Sequence, residues 1–371
     1  MKGSNKRYSN IELLRIVAMI MVVVYHINYH CVMNQLINGV SEFSKPNFYK
    51  QLFLIEGTMP FGSIANAIFI LITGYFMIEK EFNVGKVFKK LSLQMAVALI
   101  LMIIVSTLYY RYGTVPVGEA MVPLYITDYN SMNWFVGYYF AVIVVAAIFL
   151  NNYLNRLDNK KYIIVMAILL GIATFRWSGE VVESVADGLR VFICGLFLYA
   201  MGGYMKKYNP FKQIRMWALV AFIIILYVFI YVSYYNNVMS EIQYYYINGG
   251  EGAFTQPLLG FDNYGIVAVI ISVLMLEIFR RLPIPSIKII NFLGASTFMI
   301  YLMHDNKFWW PIWNRKDWLK VLLDSPKLFC RDIFLWAMCM FAIGVISYIV
   351  YLSAGVLLRV LKRLAVKCEV E

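Results

Sequence analysis

The run from Ile11 to Tyr29 is apolar almost throughout, and comparable runs recur along the whole chain. A stretch of about 20 apolar residues crosses a bilayer as an α-helix, because only then does every backbone N–H and C=O find a partner without water. Of the 371 residues, 61% are hydrophobic and 15% charged. The pattern predicts an all-α, polytopic membrane helix bundle of about ten transmembrane helices. They fall near 10–30, 60–79, 91–110, 132–150, 162–177, 186–205, 215–235, 262–280, 286–304 and 332–358, with residues 1–371 read as one membrane domain. The first run carries Arg15 and His26 and has no small-residue cleavage site behind it, so it is expected to stay as a helix.

A net charge of +12 raises nucleic acid as a partner, but the distribution of the basic residues points elsewhere. With the N-terminus inside, twenty-one Lys and Arg fall in the inner segments, including Lys80, Lys86, Lys89, Lys90, Arg280, Arg281 and Lys288, against ten in the outer ones. That asymmetry predicts two cytoplasmic termini, the bilayer as partner and no nucleic acid. Five cysteines without paired spacing indicate neither a disulfide framework nor a metal site. The outer segment 307–330 breaks the charge pattern and holds Trp309, Trp310, Trp313 and Trp318. It is expected to lie along the outer surface as an amphipathic stretch or to cap a cavity. The segment Asn236 to Phe261 reads as the longest other outer loop, its Tyr244, Tyr245 and Tyr246 serving as a sugar platform or as part of an interfacial aromatic belt.

Arg15 and His26 stand eleven residues apart, three helical turns plus roughly 20°, so they share one stripe at depths differing by roughly 16 Å. A charge at the bilayer centre costs ~2.5–3.5 kcal/mol on insertion scales, and such a pair on one helix calls for a compensating role. Arg15 has two readings: a snorkelling residue paired with Glu12, or an anion anchor whose guanidinium grips phosphate or carbonyl oxygens. His26 suits a general base, since an imidazole pKa near 6.5 fits proton removal from a hydroxyl at neutral pH. His30, at i+4, reads as an interfacial residue at the helix end. His304 and Asp305, ending the ninth predicted helix, reach the same outer depth as His26. A closed zinc site would need more ligands than these, so no metal is expected.

Three local patterns, in order along the chain, carry a family resemblance. They are Asn10-Ile11-Glu12-Leu13-Leu14-Arg15 through His26, an Arg-x10-His pattern; Ile68 to Phe76 with Thr73-Gly74-Tyr75, preceded by Asn66; and Ser296 through Tyr301-Leu302-Met303-His304-Asp305-Asn306. The stretch Trp134 to Asn151, ending Ala-Ile-Phe-Leu-Asn, adds a weaker match. Together they resemble the acyltransferase 3 family of bacterial integral membrane acyltransferases. Two features depart from its pattern: Thr73 stands where serine is usual, and the Arg-x-x-Arg found after helix 2 in some members is absent, with Lys86, Lys89 and Lys90 in that region.

The resemblance implies transfer of an acyl group, most often acetyl, from cytoplasmic acyl-CoA to a hydroxyl of a surface or lipid-linked polysaccharide, at the bacterial plasma membrane. Acetyl-CoA is then a co-substrate, with no permanently bound cofactor. Arg15 and His26 inherit the essential roles. Glu12, His304, Asp305, Trp134 and Asn66 are candidates for binding or orienting substrate, and Lys86, Lys89 and Lys90 for holding donor phosphates. The alternatives are a glycan flippase or transporter, which would show paired helix breaks in two halves, and a membrane glycan polymerase, which would need a large arginine-rich outer loop.

Overall fold

The computed structural model describes residues 8–80, 83–112, 134–174, 180–250 and 265–368. All regular structure among them is helical. Seven helical stretches are long and apolar enough to cross a membrane: Ser9–Asn38, Pro46–Met77, Val84–Tyr109, Trp134–Arg156, Gly188–Tyr208, Met216–Ile247 and Pro326–Leu357. Three shorter helices, Asn159–Thr174, Ile266–Arg281 and Lys288–His304, occupy the expected fifth, eighth and ninth positions. The protein is therefore an all-α, multi-pass membrane helix bundle.

The elements that matter for the site are α1 (Ser9–Ile27), α2 (Pro60–Met77), α3 (Val84–Tyr112), α4 (Trp134–Val145), α5 (Glu180–Tyr208), α6 (Met216–Ile247), α7 (Ile266–Arg281), α8 (Lys288–His304), α9 (Trp309–Trp313), α10 (Trp318–Asp324) and α11 (Pro326–Cys368). Local chemistry sets several boundaries. Pro60 opens α2 at a position where its missing N–H is not needed. Asn83 and Asp317 accept hydrogen bonds from the backbone N–H of Lys86 and Lys320, capping α3 and α10. Just past the end of α5, Asn209 adopts φ +48°, the left-handed conformation that closes many helices.

The centre of the bundle is α2, packed on α1, α5 and α7. Its apolar window is 61% buried, whereas that of α6 is 11% buried and presents Phe222, Ile225, Val228 and Phe229 outward, as a lipid-facing helix does. The contact between α2 and α5 is close enough to bring backbones together. A Cβ on Gly74 would sit 2.0 Å from the carbonyl oxygen of Tyr199, and one on Gly202 would sit 2.1 Å from that of Leu71. Without a hydrophobic drive between helices in lipid, small residues at such crossings let van der Waals contact hold the pair.

The end of the bundle that carries the basic segments is knitted by side chain to backbone bonds. Asn10 donates to the carbonyl of Arg280, Asn151 to that of Met77, and Lys207 to those of Asn155 and Leu157. Glu277, fully buried, pairs with Arg280 and Arg281. At the opposite, tryptophan-rich end, Asn28–Val32 forms a π turn before the helix resumes at Met33–Asn38. Gln35 on that continuation donates to the carbonyl of Lys316 and accepts from the N–H of Trp318, 2.8 Å each, latching the tryptophan segment to the first membrane helix.

One expectation needs correction. Residues 236–247, read as the start of an outer loop, continue α6, so Tyr244, Tyr245 and Tyr246 lie on a helix. The aromatic and β-branched composition there suits a helix as well as a loop platform, and polarity alone placed the boundary too early. The rest of that predicted loop, 251–261, lies outside the described residues. The segment 307–330, expected only as an outer amphipathic stretch or a cap, folds as two short helices, α9 and α10, followed by the start of α11 at Pro326.

Candidate active site

α1 and α8 pack side by side, and this brings all three histidines of the chain together. His304 Nε2 lies 2.9 Å from His26 Nδ1. His26 Nε2 faces Asp305 Oδ2 at 3.2 Å, and His30 Nε2 faces Asp305 Oδ1 at 3.1 Å. Trp310 stacks on His30 with ring centroids 4.0 Å apart and directs its Nε1–H at Asp305 Oδ1, 3.3 Å away. The chain folds this way after α8 because Asn306 caps the next turn by accepting from the N–H of Phe308, while Trp309 donates back to the carbonyl of Met303.

The hydrogen bonds assign the tautomers. His304 Nδ1 is 2.7 Å from the carbonyl oxygen of Tyr301, which can only accept, so that nitrogen carries the proton. In the neutral ring Nε2 is then an acceptor, and His26 Nδ1–H fills it while also lying 3.0 Å from the carbonyl of Val22. Neutral His26 therefore keeps its lone pair on Nε2, the atom beside Asp305. Such an arrangement takes up a proton at Nε2 and stabilises the resulting imidazolium with the adjacent carboxylate. His26, His30 and Asp305 each offer one ligand atom, all within 4.8 Å of one another, a set that could hold a divalent cation. His30 Nε2 at 3.1 Å and Trp310 Nε1 at 3.3 Å both reach Asp305 Oδ1 and place the carboxylate without one, while a hydrogen bond between His26 Nε2 and Asp305 Oδ2, 3.2 Å apart, forms once the imidazole takes up a proton.

Two cavities flank this helix pair. The first, about 380 Å³, is lined by His26, His30, Asp305, Asn66, Trp134 and Trp310 among others. The second, about 210 Å³, lies toward the basic end and is lined by Arg15, Thr73, Lys90, Gln94, Tyr139 and Thr297 among others. Arg15 pairs with Glu12 at 3.2 Å, and the Glu12 side chain packs directly on Gly294 of α8. Thr73 donates to the carbonyl of Phe69 at 2.8 Å and meets the Tyr139 hydroxyl at 2.7 Å.

Most of the residues read from the sequence thus gather at one of these two places: His26, His304, Asp305, Asn66 and Trp134 around the first cavity, Arg15, Glu12 and Lys90 around the second. Lys86 and Lys89 are exposed and line neither. His30, read as interfacial, instead joins the Asp305 cluster, a placement its i+4 spacing from His26 permitted. Tyr139 and Gln94 had no signal in the sequence pattern, since only the packing of distant helices brings them in, whereas Trp310 belongs to the tryptophan-rich segment and lines the first cavity.

A helical membrane protein with a histidine–carboxylate cluster lining one of two cavities is the class that fold and site define. The family described as an acyltransferase domain matches residues 8–323, and the chain belongs to this acyltransferase 3 family. Its activity is in general terms that of an acyltransferase. No curated protein and no solved structure matches the chain.

Proposed function

We propose that the protein transfers an acetyl group from cytoplasmic acetyl-CoA to a hydroxyl of a surface or lipid-linked polysaccharide, working in the bacterial plasma membrane. The observation that carries this reading is the division of labour between the cavities: cationic Arg15 and Lys90 border one, and the His26–Asp305 pair borders the other. Phosphates of CoA are held at the basic end by Arg15 and Lys90, because guanidinium and ammonium groups bind phosphoryl oxygens with charge-assisted hydrogen bonds. The pantetheine arm then brings the thioester toward His26, a span that suits a long thin donor. A glycan hydroxyl enters the larger cavity, whose tyrosine, tryptophan and asparagine lining offers ring faces and an amide to a sugar.

His26 Nε2 takes the hydroxyl proton as the oxygen attacks the thioester carbonyl. The new C–O bond forms, the C–S bond breaks, and CoA leaves as the thiol after receiving a proton. Asp305 stabilises the imidazolium, and His304 fixes the ring orientation through His26 Nδ1. Two separate cavities favour transfer between two substrates over a single translocation path for a flippase.

The test uses inverted membrane vesicles given radiolabelled acetyl-CoA and a surface-glycan extract, with native protein and His26→Ala at equal expression. Label entering the glycan only with native protein supports the reading. Equal labelling by both makes His26 structural, and labelling by neither refutes the donor or acceptor class.

A further inference from the structure

The two cavities share two lining residues, Phe135 in the first turn of α4 and Tyr301 on α8. Their rings lie 5.8 Å apart between centroids. Both are almost closed off, 8% and 9% exposed. Phe135 also stacks on Tyr139 of the Arg15 cavity, 5.8 Å between centroids, and the Tyr301 ring lies 5.5 Å from that of His304. An unbroken file of rings therefore runs from one cavity to the histidine cluster, and the pair at its middle forms the wall between them.

We propose that Phe135 and Tyr301 form an acyl-selecting partition that admits a short acyl group and excludes longer ones, which rests on the acyl-transfer reading above. Of the whole donor, only the acyl carbonyl has to reach His26. It must do so where the two cavities meet, and there the path is bounded by two aromatic faces rather than by flexible aliphatic chains. An acetyl group needs little more than a ring rotation to pass. Each added methylene has to find space between packed rings, where a mismatch of one methylene is worth about tenfold in discrimination. The same wall keeps water of the glycan cavity away from the thioester, limiting hydrolysis.

Tyr301 is fixed in the buried face of α8, whereas Phe135 stands in the first turn of its helix and is the side of the pair to shorten. The experiment compares native protein with Phe135→Leu and Phe135→Ala at equal folded amounts, judged by melting temperature. Acetyl-, butyryl- and hexanoyl-CoA serve as donors, with a surface-glycan extract as acceptor. The expected result is a rise of up to about a hundredfold in the butyryl to acetyl ratio of kcat/KM for Phe135→Ala, about tenfold for each of the two added methylenes, a smaller rise for Phe135→Leu, and several-fold faster CoA release without acceptor. A native enzyme that uses acetyl-CoA while folded Phe135→Leu and Phe135→Ala keep its chain-length ratio and its low acceptor-free CoA release overturns the partition and leaves the transfer reading standing. Should Phe135→Ala fail to fold, Phe135→Leu decides. Native protein that consumes no acyl-CoA overturns both.

Discussion

Replacing Asp305 by asparagine keeps the outline of the side chain but removes its charge and half of its acceptor capacity. In the structure Asp305 accepts from His30 Nε2 and Trp310 Nε1 through Oδ1 and stands 3.2 Å from His26 Nε2 through Oδ2. Because Oδ1 already has two donors, the amide of Asp305→Asn keeps its oxygen there and turns its NH2 toward His26. That N–H donates to the Nε2 lone pair, the atom that must receive the substrate proton. Two losses combine. A charge-assisted contact to the forming imidazolium, worth about 1.5–3 kcal/mol, disappears. The base is also occupied, and removal of general-base assistance costs about 10²–10⁴ in rate. Together they predict a fall in kcat of at least about a hundredfold, with KM for acetyl-CoA nearly unchanged because Arg15 and Lys90 are untouched. The assay is steady-state transfer of labelled acetyl to glycan in purified, detergent-solubilised protein, with melting temperature as the check on folding. A folded Asp305→Asn variant whose kcat stays within threefold of native would refute the assignment of Nε2 as the proton acceptor.

Two further outcomes follow from the geometry. Gly74→Ala puts a Cβ 2.0 Å from a backbone oxygen that no rotamer change can move, so α2 and α5 must part by about 1 Å; overpacking of this kind costs about 1–3 kcal/mol, and a melting temperature unchanged within a degree would contradict the close crossing. Activity is expected to survive treatment with a strong chelator and extensive dialysis, since hydrogen bonds from His30 and Trp310 place Asp305 without a cation; loss of transfer that returns on adding zinc would instead assign the cluster to a metal.

Hydrophobic run length was enough to read an all-α membrane bundle, because in lipid the backbone has few alternatives and composition reports it directly. The stripe from Arg15 to His26 was legible for the same reason, helical periodicity being fixed once the helix is. The shared depth of His304, Asp305 and His26 was legible too, but which helices touch was not. The approach of His304 to His26 follows from α1 packing on α8, and no residue of either helix announces its neighbour. Thr73 signals nothing alone; its meaning comes from a tyrosine hydroxyl 66 positions away. His30 was misread because a histidine near a helix end has an ordinary interfacial explanation, and the carboxylate that claims it belongs to another part of the chain. Lys86 and Lys89 carry a charge that fits a phosphate role, and the structure places both on α3 outside the lining of the two cavities.

The π turn at Asn28–Val32 gives the first membrane helix one residue of slack, because such a turn takes in about one residue more than an α turn before the helix resumes in phase. Excising one residue there therefore lets the chain wind on as an ordinary helix with Gln35 still turned toward Lys316 and Trp318. A second deletion has no bulge to absorb it and swings every later position by about 100° about the axis. Gln35 would then face away, and the roof over the histidines would lose both of its hydrogen bonds to Gln35.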